Sequence, residues 1–471
     1  MTDWTSLLNR RQMLAFSGAA LATAAVGPTF HVARADDGFL EIAAGPAKKK
    51  LLSEGTAEAD LWLFGGSLLG PEIRVTVGER VKVRLVNNLE EPTSIHWHGI
   101  RIQNDMDGVS GLTQEAVAPG ESFEYDFVAP DAGTYWYHAH NRSWNQVGRG
   151  LYGALIVEEV VPVFDREHDL TVVIDDWRIL EDGNLDQQTF GSLMDWSHAG
   201  RLGNFLTING VSDPEFRLSR GEKYRLRLIN VANARVMPLN LATEKTKVLA
   251  YDGQSLPEPE EGPPAEFFLG PAQRVDVMVE ADEDFSLNFV ARDDSFPFAR
   301  FNVTDSDGSQ GHIVWKPAIS NLPEPDLETA NTYSLEMTGG AMGQMGEMIY
   351  NGKVLERSDM RETGQLWAFN GVANLAKEPF FSVQKGETVV IDLTNNTAFE
   401  HAMHTHGHHF RIVEREGAEA DESAYWRDTF LILPRQRVKI AFVADNPGKW
   451  LFHCHMLEHA AAGMNTWFEV V

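Results

Sequence analysis

The sequence has little cysteine, few basic residues relative to acidic ones, and no long apolar run. Its 471 residues include one cysteine, so no disulfide can form within the chain. The 40 Lys and Arg residues are outnumbered by 68 Asp and Glu, and a net charge of −28 makes a phosphate backbone a poor partner. Since no apolar run reaches the roughly 18 residues of a transmembrane helix, we expect no membrane span and no nucleic-acid partner.

The first 35 residues have the order of an export signal. Arg10 and Arg11 precede a weakly polar, small-residue stretch that ends in an A-x-A cleavage signal at Ala35. This order is typical of secretory signal peptides, and the paired arginines indicate the twin-arginine route. We therefore predict a signal peptide over residues 1–35 and a periplasmic protein. The alternative is a short amphipathic or disordered N-terminus.

One pattern occurs three times along the chain. Each copy alternates apolar and polar residues on both sides of a Gly-Glu turn, which predicts two strands joined by a tight turn. The copies are residues 73–87, 216–230 and 381–395, and a second shared block begins at Pro119, Pro271 and Pro434. Because helical periodicity is scarce, we predict an all-β protein of three consecutive Greek-key β-sandwich domains. Their predicted bounds are 36–160, 161–325 and 326–471.

Within this register, only the first and third repeats carry histidine pairs. Each has His-x-His nine and eleven residues after the Asn that ends the first block, and again 19 and 21 residues after the Pro of the second. These eight residues are His96, His98, His138, His140, His404, His406, His453 and His455. The middle repeat has Leu239, Leu241, Val290 and Arg292 at the matching positions. We infer that the outer domains share a metal site and that the middle domain is a structural spacer.

Paired imidazoles in this number indicate a metal cluster. Residues two apart in a strand point the same way, so a His-x-His pair presents two imidazoles on one face. A single pair means little, but four in register do not fit ordinary surface or packing histidines. Structural zinc needs only four ligands, usually with several cysteines. Imidazole suits copper, zinc, iron and nickel.

A second site is predicted within the third repeat. Cys454 lies between His453 and His455, and His459 and Met464 follow at five-residue steps. Together with His401, the residues Cys454, His459 and Met464 form the set of two His, one Cys and a weak axial Met that defines a blue-copper centre. Because Cys454 is covalently next to two cluster histidines, electrons that reach its sulfur have a short bonded route into the cluster.

These motifs resemble the four copper motifs of three-domain multicopper oxidases. The matching segments are HWHG (96–99), HAH (138–140), HAMHTH (401–406) and HCHMLEHAAAGM (453–464), and the resemblance covers essentially the whole mature chain. It implies cupredoxin-like domains, four copper ions and an oxidase. Such an enzyme takes single electrons from a phenol, an aromatic amine or Cu(I), and reduces dioxygen to water with four electrons.

The resemblance also implies which residues hold each copper. The type 1 ligands are His401, Cys454, His459 and Met464. Type 2 copper is held by His96 and His404. One type 3 copper has His98, His138 and His455, and the other has His140, His406 and His453.

Acidic residues and methionines complete the predicted site. The family often has an acid after the second type 1 histidine, but Ala460 stands there. Asp107 matches the other acid that the family places near the cluster, so we expect Asp107 alone to donate protons to reduced oxygen, or another acid to substitute for the missing one. Met337, Met342, Met345 and Met348 resemble a Met-rich segment of periplasmic cuprous oxidases, and their spacing fits a short helix. Since thioethers select Cu(I), we predict a Cu(I) site from Met337, Met342, Met345 and Asp428. The alternative is core packing.

Three other functions fit the sequence less well than the oxidase does. A periplasmic copper-tolerance protein that only sequesters copper gives no reason for Cys454 to lie between two cluster histidines. A copper-free scaffold is disfavoured because no ligand position is empty. Copper nitrite reductase resembles two such domains rather than three.

Overall fold

The structure of the chain is a computed structural model, which describes residues 37–52, 57–262, 266–291, 294–305, 313, 315–343, 346–417 and 425–471. The predicted signal peptide over residues 1–35 lies outside this range. In the part of the chain that is described, no helix has both the length and the apolar character needed to cross a membrane.

The first sandwich is built from eight strands in two four-stranded sheets, with orders β2-β1-β4-β6 and β3-β8-β7-β5. Its strands are β1 (Leu40–Lys49), β2 (Ala59–Phe64), β3 (Ile73–Thr76), β4 (Arg80–Asn87), β5 (Ile95–His98), β6 (Ser122–Val128), β7 (Gly133–Ala139) and β8 (Tyr152–Glu158).

The second sandwich pairs a six-stranded sheet, β10-β9-β12-β17-β14-β15, with a five-stranded one, β11-β19-β18-β13-β16. Its strands are β9 (Asp169–Trp177), β10 (Phe205–Ile208), β11 (Glu215–Ser219), β12 (Lys223–Asn230), β13 (Met237–Leu241), β14 (Thr246–Tyr251), β15 (Gln254–Glu261), β16 (Phe267–Leu269), β17 (Arg274–Glu280), β18 (Phe285–Ala291) and β19 (Asp294–Thr304).

The third sandwich has sheets β23-β20-β25-β30-β27-β28 and β24-β32-β31-β26-β29, with a small ribbon β21-β22 beside them. Its strands are β20 (Asn331–Gly339), β21 (Met348–Tyr350), β22 (Lys353–Leu355), β23 (Trp367–Phe369), β24 (Ser382–Val383), β25 (Thr388–Asn395), β26 (His401–Thr405), β27 (Phe410–Arg415), β28 (Trp426–Arg427), β29 (Thr429–Ile432), β30 (Arg437–Val443), β31 (Gly448–Cys454) and β32 (Asn465–Val470).

Helices are short and lie in connections. Those described are α1 (Ser143–Gln146), α2 (Leu193–Ser197), α3 (Arg357–Thr363) and α4 (Leu457–Ala461), with 3-10 turns at Asn104–Met106, Val147–Arg149 and Arg166–His168. The predicted all-β class is confirmed, since paired strands form the body of every sandwich.

The three repeated segments connect opposite sheets of their sandwiches. β3 pairs with β8, whereas β4 pairs with β1 and β6, and the corresponding strands of the other two sandwiches are separated in the same way. The turns are tight, as predicted, and their glycines, at 78, 221 and 386, have φ of 88°, 78° and 91°. Residues with a side chain rarely adopt this backbone conformation, so glycine is the residue that allows the chain to cross between the two sheets here.

The asparagine that ends each repeat organises the loop after it. Asn230, for example, is fully buried, and its Nδ2 donates to the carbonyls of Arg235 and Leu269 while its Oδ1 accepts from the amide of Ala232. Asn87 and Asn395 make the corresponding side-chain bonds in their own domains. Because buried backbone groups need partners, this residue fixes the path into the next strand, which carries histidines in the outer domains.

The middle domain packs a charged sheet face against the first domain. Arg227 on β12 is fully buried and bonds Asp169, Asp276 and, across the interface, the Thr134 hydroxyl at 2.6 Å. Arg225 beside it bonds Asp169 and Glu159. The charges are compensated by partners, so burying them does not leave an isolated ion.

Candidate metal centre

The eight histidines of the repeated pairs converge between the first and third domains. The strands β5 and β7 place His96 opposite His138, and the strands β26 and β31 place His404 opposite His453. Rings from the two domains then stack crosswise, His96 on His406 and His98 on His404, each pair with centroids 3.8 Å apart. The middle domain has core residues on its corresponding strands β13 and β18, where Leu239 pairs with Phe289.

Nitrogen atoms face each other inside this cluster. His406 Nε2 lies 3.2 Å from His453 Nε2, and His138 Nε2 lies 3.3 Å from His455 Nε2. Among the described residues, three sets made of histidines alone bring their ligand atoms within 4.8 Å of one another. They are His140, His406 and His453; His96, His98 and His138; and His96, His404 and His406.

Burial keeps these imidazoles neutral and available as ligands. Desolvation, reinforced by neighbouring histidines, lowers the pKa of His138, His140, His406, His453 and His455 well below the ordinary value. Neutral imidazole has one nitrogen that donates and one with a free lone pair, which is the form that binds metals.

The hydrogen bonds behind the cluster decide which nitrogen faces inward. His96 Nδ1 donates to the Asp107 carbonyl at 2.8 Å, and His404 Nδ1 donates to the Asp428 carbonyl at 2.9 Å. Their Nε2 atoms, with His98 Nδ1, are buried and have no hydrogen-bond partner. Buried polar atoms are normally satisfied, so this donor set fits copper ions held by imidazole.

The two acids occupy equivalent places on opposite sides of the cluster. Asp107, as predicted, lies at the histidines: its carboxylate oxygens are 3.0 and 3.1 Å from His406 Nδ1. Asp428 has the same relation to the other stacked pair, with its carbonyl on His404 and its Oδ1 3.3 Å from His98 Nε2. Each acid thus contacts one cluster histidine of the first domain and one of the third domain.

The position of Asp428 corrects the predicted Cu(I) site. The side chain is fully buried and pairs with Arg274 of the middle domain instead of meeting a methionine. Burial alone raises the pKa of a carboxyl group, but the charge and hydrogen bonds of Arg274 hold the pKa of Asp428 well below its usual range. Asp428 therefore belongs to the histidine cluster.

The methionine segment does not gather into one site among the described residues. Met337 on β20 and Met348 on β21 are buried in the core of the third domain, as the packing alternative expected. Met342 is 78% exposed in a turn, and Met345 lies outside the described residues. The short helix that the methionine spacing could form is absent from the described part of this segment, where Gly339, Gly340 and Met342 have positive φ.

A second group of ligand atoms lies at the end of β31. The Cys454 Sγ is 3.6 Å from His401 Nδ1 and 3.8 Å from His459 Nδ1, and these two nitrogens are 3.0 Å apart. Burial raises the pKa of the Cys454 thiol to about 12 and lowers that of His459 to about 4. Met464 is buried in the same core, and its carbonyl accepts from the Cys454 amide at 3.1 Å. The donor types fit a blue-copper site.

The edge of His459 that points outward is covered by the middle domain. Its Nε2 donates to the His198 carbonyl at 2.6 Å, directly after α2, and the ring is fully buried. Trp367 packs on the same ring at 4.5 Å and donates to the Trp196 carbonyl at 2.6 Å. Sequence reasoning missed both the role of His198, because a backbone carbonyl has no sequence signature, and that of Arg274.

Cupredoxin-like sandwiches with a buried blue-copper donor set next to a multi-histidine cluster define a copper oxidase. Family models described as multicopper oxidase match residues 47–161, 168–309 and 351–471. The crystal structure of Lac15 from a marine microbial metagenome is 38% identical, with 91% of this chain and 99% of that chain covered and a TM-score of 0.72. That of a multicopper oxidase from Pseudomonas thermotolerans is 31% identical, covering 92% and 98%, with a TM-score of 0.79.

Among curated proteins, the multicopper oxidase MmcO of Mycobacterium tuberculosis is 28% identical over 97% of this chain and 92% of its own. The chain belongs to the multicopper oxidases, which confirms the predicted family. It is a copper-dependent oxidoreductase that couples oxidation of a reductant to reduction of dioxygen.

Proposed function

We propose that the chain holds four coppers in the two groups of ligands and works as a laccase-like oxidase of small organic reductants. The type 1 ligands are His401, Cys454, His459 and Met464. The type 2 ligands are His96 and His404. The type 3 ligands are His98, His138 and His455 for one copper, and His140, His406 and His453 for the other. When bound, copper supplies one-electron oxidation at the first group and four-electron reduction of dioxygen at the second.

The observation that carries this proposal is the position of Cys454 between two cluster histidines. His453 and His455 flank it in sequence, and both are buried in the cluster. In addition, His453 Nδ1 donates to the Cys454 carbonyl at 2.9 Å. Covalent bonds and this hydrogen bond both connect the sulfur to the cluster, which a protein that merely stored copper does not need.

The chain's own residues prepare the cluster for oxygen chemistry. Carbonyls of Asp107 and Asp428 fix the tautomers of His96 and His404, so their inward nitrogens carry lone pairs. The Asp107 carboxylate lies at His406 and is the acid placed to hand protons toward reduced oxygen. Seven of the eight cluster histidines are buried and His140 is partly exposed, so the site is largely shielded from bulk water.

Electrons enter through the segment that covers His459. The hydrogen bond from its Nε2 to the His198 carbonyl links the ring to the outer surface, where Leu193 and Met194 are 44% and 64% exposed. Half-buried Trp196 and Trp144 pack next to them with ring centroids 5.4 Å apart. An aromatic reductant fits this apolar surface.

Cu(I) remains the second candidate reductant because two exposed thioethers lie on adjoining segments. Met194 is on α2, and Met342 follows Ala341, whose amide donates to the Ser197 carbonyl at 2.6 Å. Soft sulfur ligands select Cu(I).

Steady-state kinetics with a model phenol and with Cu(I) test the two reductants. The proposal expects a higher kcat/KM for the phenol, and the Met194→Leu/Met342→Leu double variant should retain it. If that variant instead loses tenfold or more in kcat/KM for Cu(I) alone, about 1.4 kcal/mol, the chain is a cuprous oxidase. Met278→Leu, at a half-buried methionine of β17, is the matched control. Copper binding without oxygen uptake would favour the copper-tolerance alternative.

The location of the protein is proposed from residues 1–35 alone. Their order supports export to the periplasm by the twin-arginine route, with cleavage near Ala35. Replacing Arg10 and Arg11 by lysine should leave the protein in the cytoplasm, as measured by cell fractionation. Unchanged export of the double variant would contradict the twin-arginine route.

A further inference from the structure

The middle domain contributes no histidine to the cluster, yet one of its side chains reaches the acid behind it. Arg274, the first residue of β17, is fully buried, and its Nη1 donates to Asp428 Oδ1 at 2.9 Å. Its Nη2 donates to the other carboxylate oxygen. The guanidinium group therefore binds the carboxylate in a bidentate manner, through both Nη atoms. This geometry fixes the orientation of the Asp428 side chain as well as its distance from Arg274.

The guanidinium is itself held by groups from different domains. Its Nη1 also donates to the Ala272 carbonyl at 2.7 Å, and its Nε donates to the Thr134 carbonyl of the first domain at 3.2 Å. The backbone amide of Arg274 donates to Asp252 at 3.0 Å. One side chain thus contacts its own domain, the first domain through Thr134 and the third domain through Asp428.

The backbone beside the cluster leaves room for this pair. Gly99, which directly follows His98, has φ 84°, and a Cβ there would lie 2.5 Å from both Arg274 Nη2 and Asp428 Oδ2. A side chain at this position would displace the ion pair. The glycine of the HWHG motif is therefore explained by the space that the guanidinium and carboxylate occupy.

On its other side, Asp428 touches the stacked rings of His98 and His404. Its carbonyl accepts from His404 Nδ1 at 2.9 Å, and its Oδ1 lies 3.3 Å from His98 Nε2. Thr429 adds a hydroxyl that donates to the same Oδ1 at 2.8 Å and lies 3.3 Å from His98 Nε2. The same Oδ1 also lies 3.5 Å from His404 Nδ1, so a rotation of the Asp428 side chain would change its contacts with both rings.

We propose that Arg274 is a positioning residue for the histidine cluster. By fixing Asp428, it orients His98 and His404, the stacked pair that joins the first and third domains. The middle domain then sets the geometry of a site to which it gives no ligand, and it is more than the spacer that the sequence repeat suggested. This inference rests on the proposed function only in taking His98 and His404 as copper ligands.

The opposite side of the cluster provides an internal comparison. Among the ion pairs of the described residues, Asp107 is paired only with His96 and His406. Loss of Arg274 should therefore disturb the side of His98 and His404 selectively. The blue-copper group, at the far end of β26, has its own support from Thr397 and His198 and should not respond.

The test uses the copper-loaded full chain with Arg274→Gln and Arg274→Lys, neither of which can form the bidentate ion pair with Asp428. We expect the electron paramagnetic resonance spectrum of the type 2 copper to change in both. Cluster copper should also be lost to a chelator at least tenfold more readily, the range typical when a partner behind a metal ligand is removed. The blue absorption of the Cys454 group should stay at wild-type intensity.

Arg225→Gln is the matched control, because Arg225 is also buried on the middle domain but pairs with Glu159 and Asp169. An unchanged type 2 spectrum and unchanged copper retention in folded Arg274→Gln would overturn the proposal. So would an equal loss in Arg225→Gln, since the effect would then be general destabilisation. A wild-type chain with no type 2 signal would refute the proposed copper assignment instead.

Asp428→Asn keeps the test decisive if the arginine variants fail to fold. It preserves the carbonyl and the size of the side chain but removes the ion pair, so the same spectral change is expected. The Arg274→Gln/Asp428→Asn double variant should lose no more copper affinity than the worse single variant, because the two residues act as one unit. Full addition of the two losses would contradict the inference.

Discussion

Cys454 is the residue on which the electron route depends. Its sulfur is buried within 4 Å of imidazole nitrogens of His401 and His459, in surroundings that raise the pKa of the thiol. A bound copper ion compensates the thiolate charge that burial disfavours. The site therefore favours a Cys454 thiolate that is bound to a metal ion over a Cys454 thiolate without one.

We predict that Cys454→Ser abolishes the intense blue absorption of the copper-loaded enzyme but keeps the cluster copper. The hydroxyl is a poor ligand for this site, whereas His453 and His455 are unchanged. Optical absorption and copper analysis on the same sample measure both. Wild-type enzyme loaded with copper but lacking the blue band would contradict the type 1 assignment.

A second residue-scale prediction concerns Asp107. Asp107→Asn should slow reoxidation of the fully reduced enzyme by tenfold or more, since general acid catalysis typically contributes about 100-fold or more. Reduction of the type 1 copper under anaerobic conditions should change little, because the ion pairs of the Asp107 carboxylate among the described residues are with the cluster histidines His96 and His406. Stopped-flow absorption separates the two steps. Equal slowing of both would indicate a structural role.

At this scale, the sequence predicts the metal ligands better than it predicts the residues that hold those ligands in place. The histidines and Cys454 were found because they recur in repeat register with a family motif. Asp428 was misplaced because its neighbours, Arg274 and His98, are distant in sequence and come from two other domains. In the sequence, the alternation of Arg274 and Asp276 with valines in β17 indicates only a strand with one solvated face, so it gives no sign of a partner for Asp428.

At the scale of elements, alternation reveals strands but not what covers them. The strands β12 and β17 alternate charged and apolar residues, a pattern that indicates one solvated face. The structure buries that face against the first domain, and Arg227 there bonds Thr134 across the interface. Strand periodicity carries no information about a second domain, so this burial was not predictable from the pattern.

The buried asparagine that ends each repeat gives an element-scale prediction. Asn230→Ala should lower the free energy of unfolding by about 3 kcal/mol, because it leaves buried backbone groups of Arg235, Leu269 and Ala232 without partners. Chemical denaturation measures the loss. Asn302→Ala, at a half-buried side chain bonded to Glu215, is the control and should cost about 1 kcal/mol or less. Equal losses would argue against the loop-organising role.

At the scale of the whole molecule, a buried acid between the first and middle domains predicts that the stability of the fold depends on pH. Tyr152 on β8 donates to Asp175 on β9 at 2.6 Å. Burial, together with the charge of Asp176, raises the pKa of Asp175 to about 8. The unfolded chain has the ordinary value of about 3.9, so the folded state binds the proton more tightly. The stability from this group is complete below about pH 4 and is lost as the pH rises through about 8.

Asp175→Asn should remove that loss, since the amide resembles the protonated carboxyl group. We expect the variant to unfold at a temperature at least about 2 °C above that of the wild type at about pH 9, with the difference shrinking toward about pH 4. Calorimetry across this range measures it. Glu181→Gln, at an exposed acid of the same domain, should leave the profile unchanged. A variant no more stable than wild type at high pH would contradict the predicted linkage.

The crosswise contact of histidines from the outer domains also governs the order in which the enzyme can be made. His138 and His455, whose nitrogens face each other, are 317 residues apart in the chain. Domains fold one after another during synthesis, beginning at the N-terminus. The histidines of the first domain therefore cannot form the complete cluster until the last strands of the third domain have been synthesised and folded. Metal capture is thus a late step in the biogenesis of the molecule, and a chain interrupted during translation cannot become a partly working oxidase.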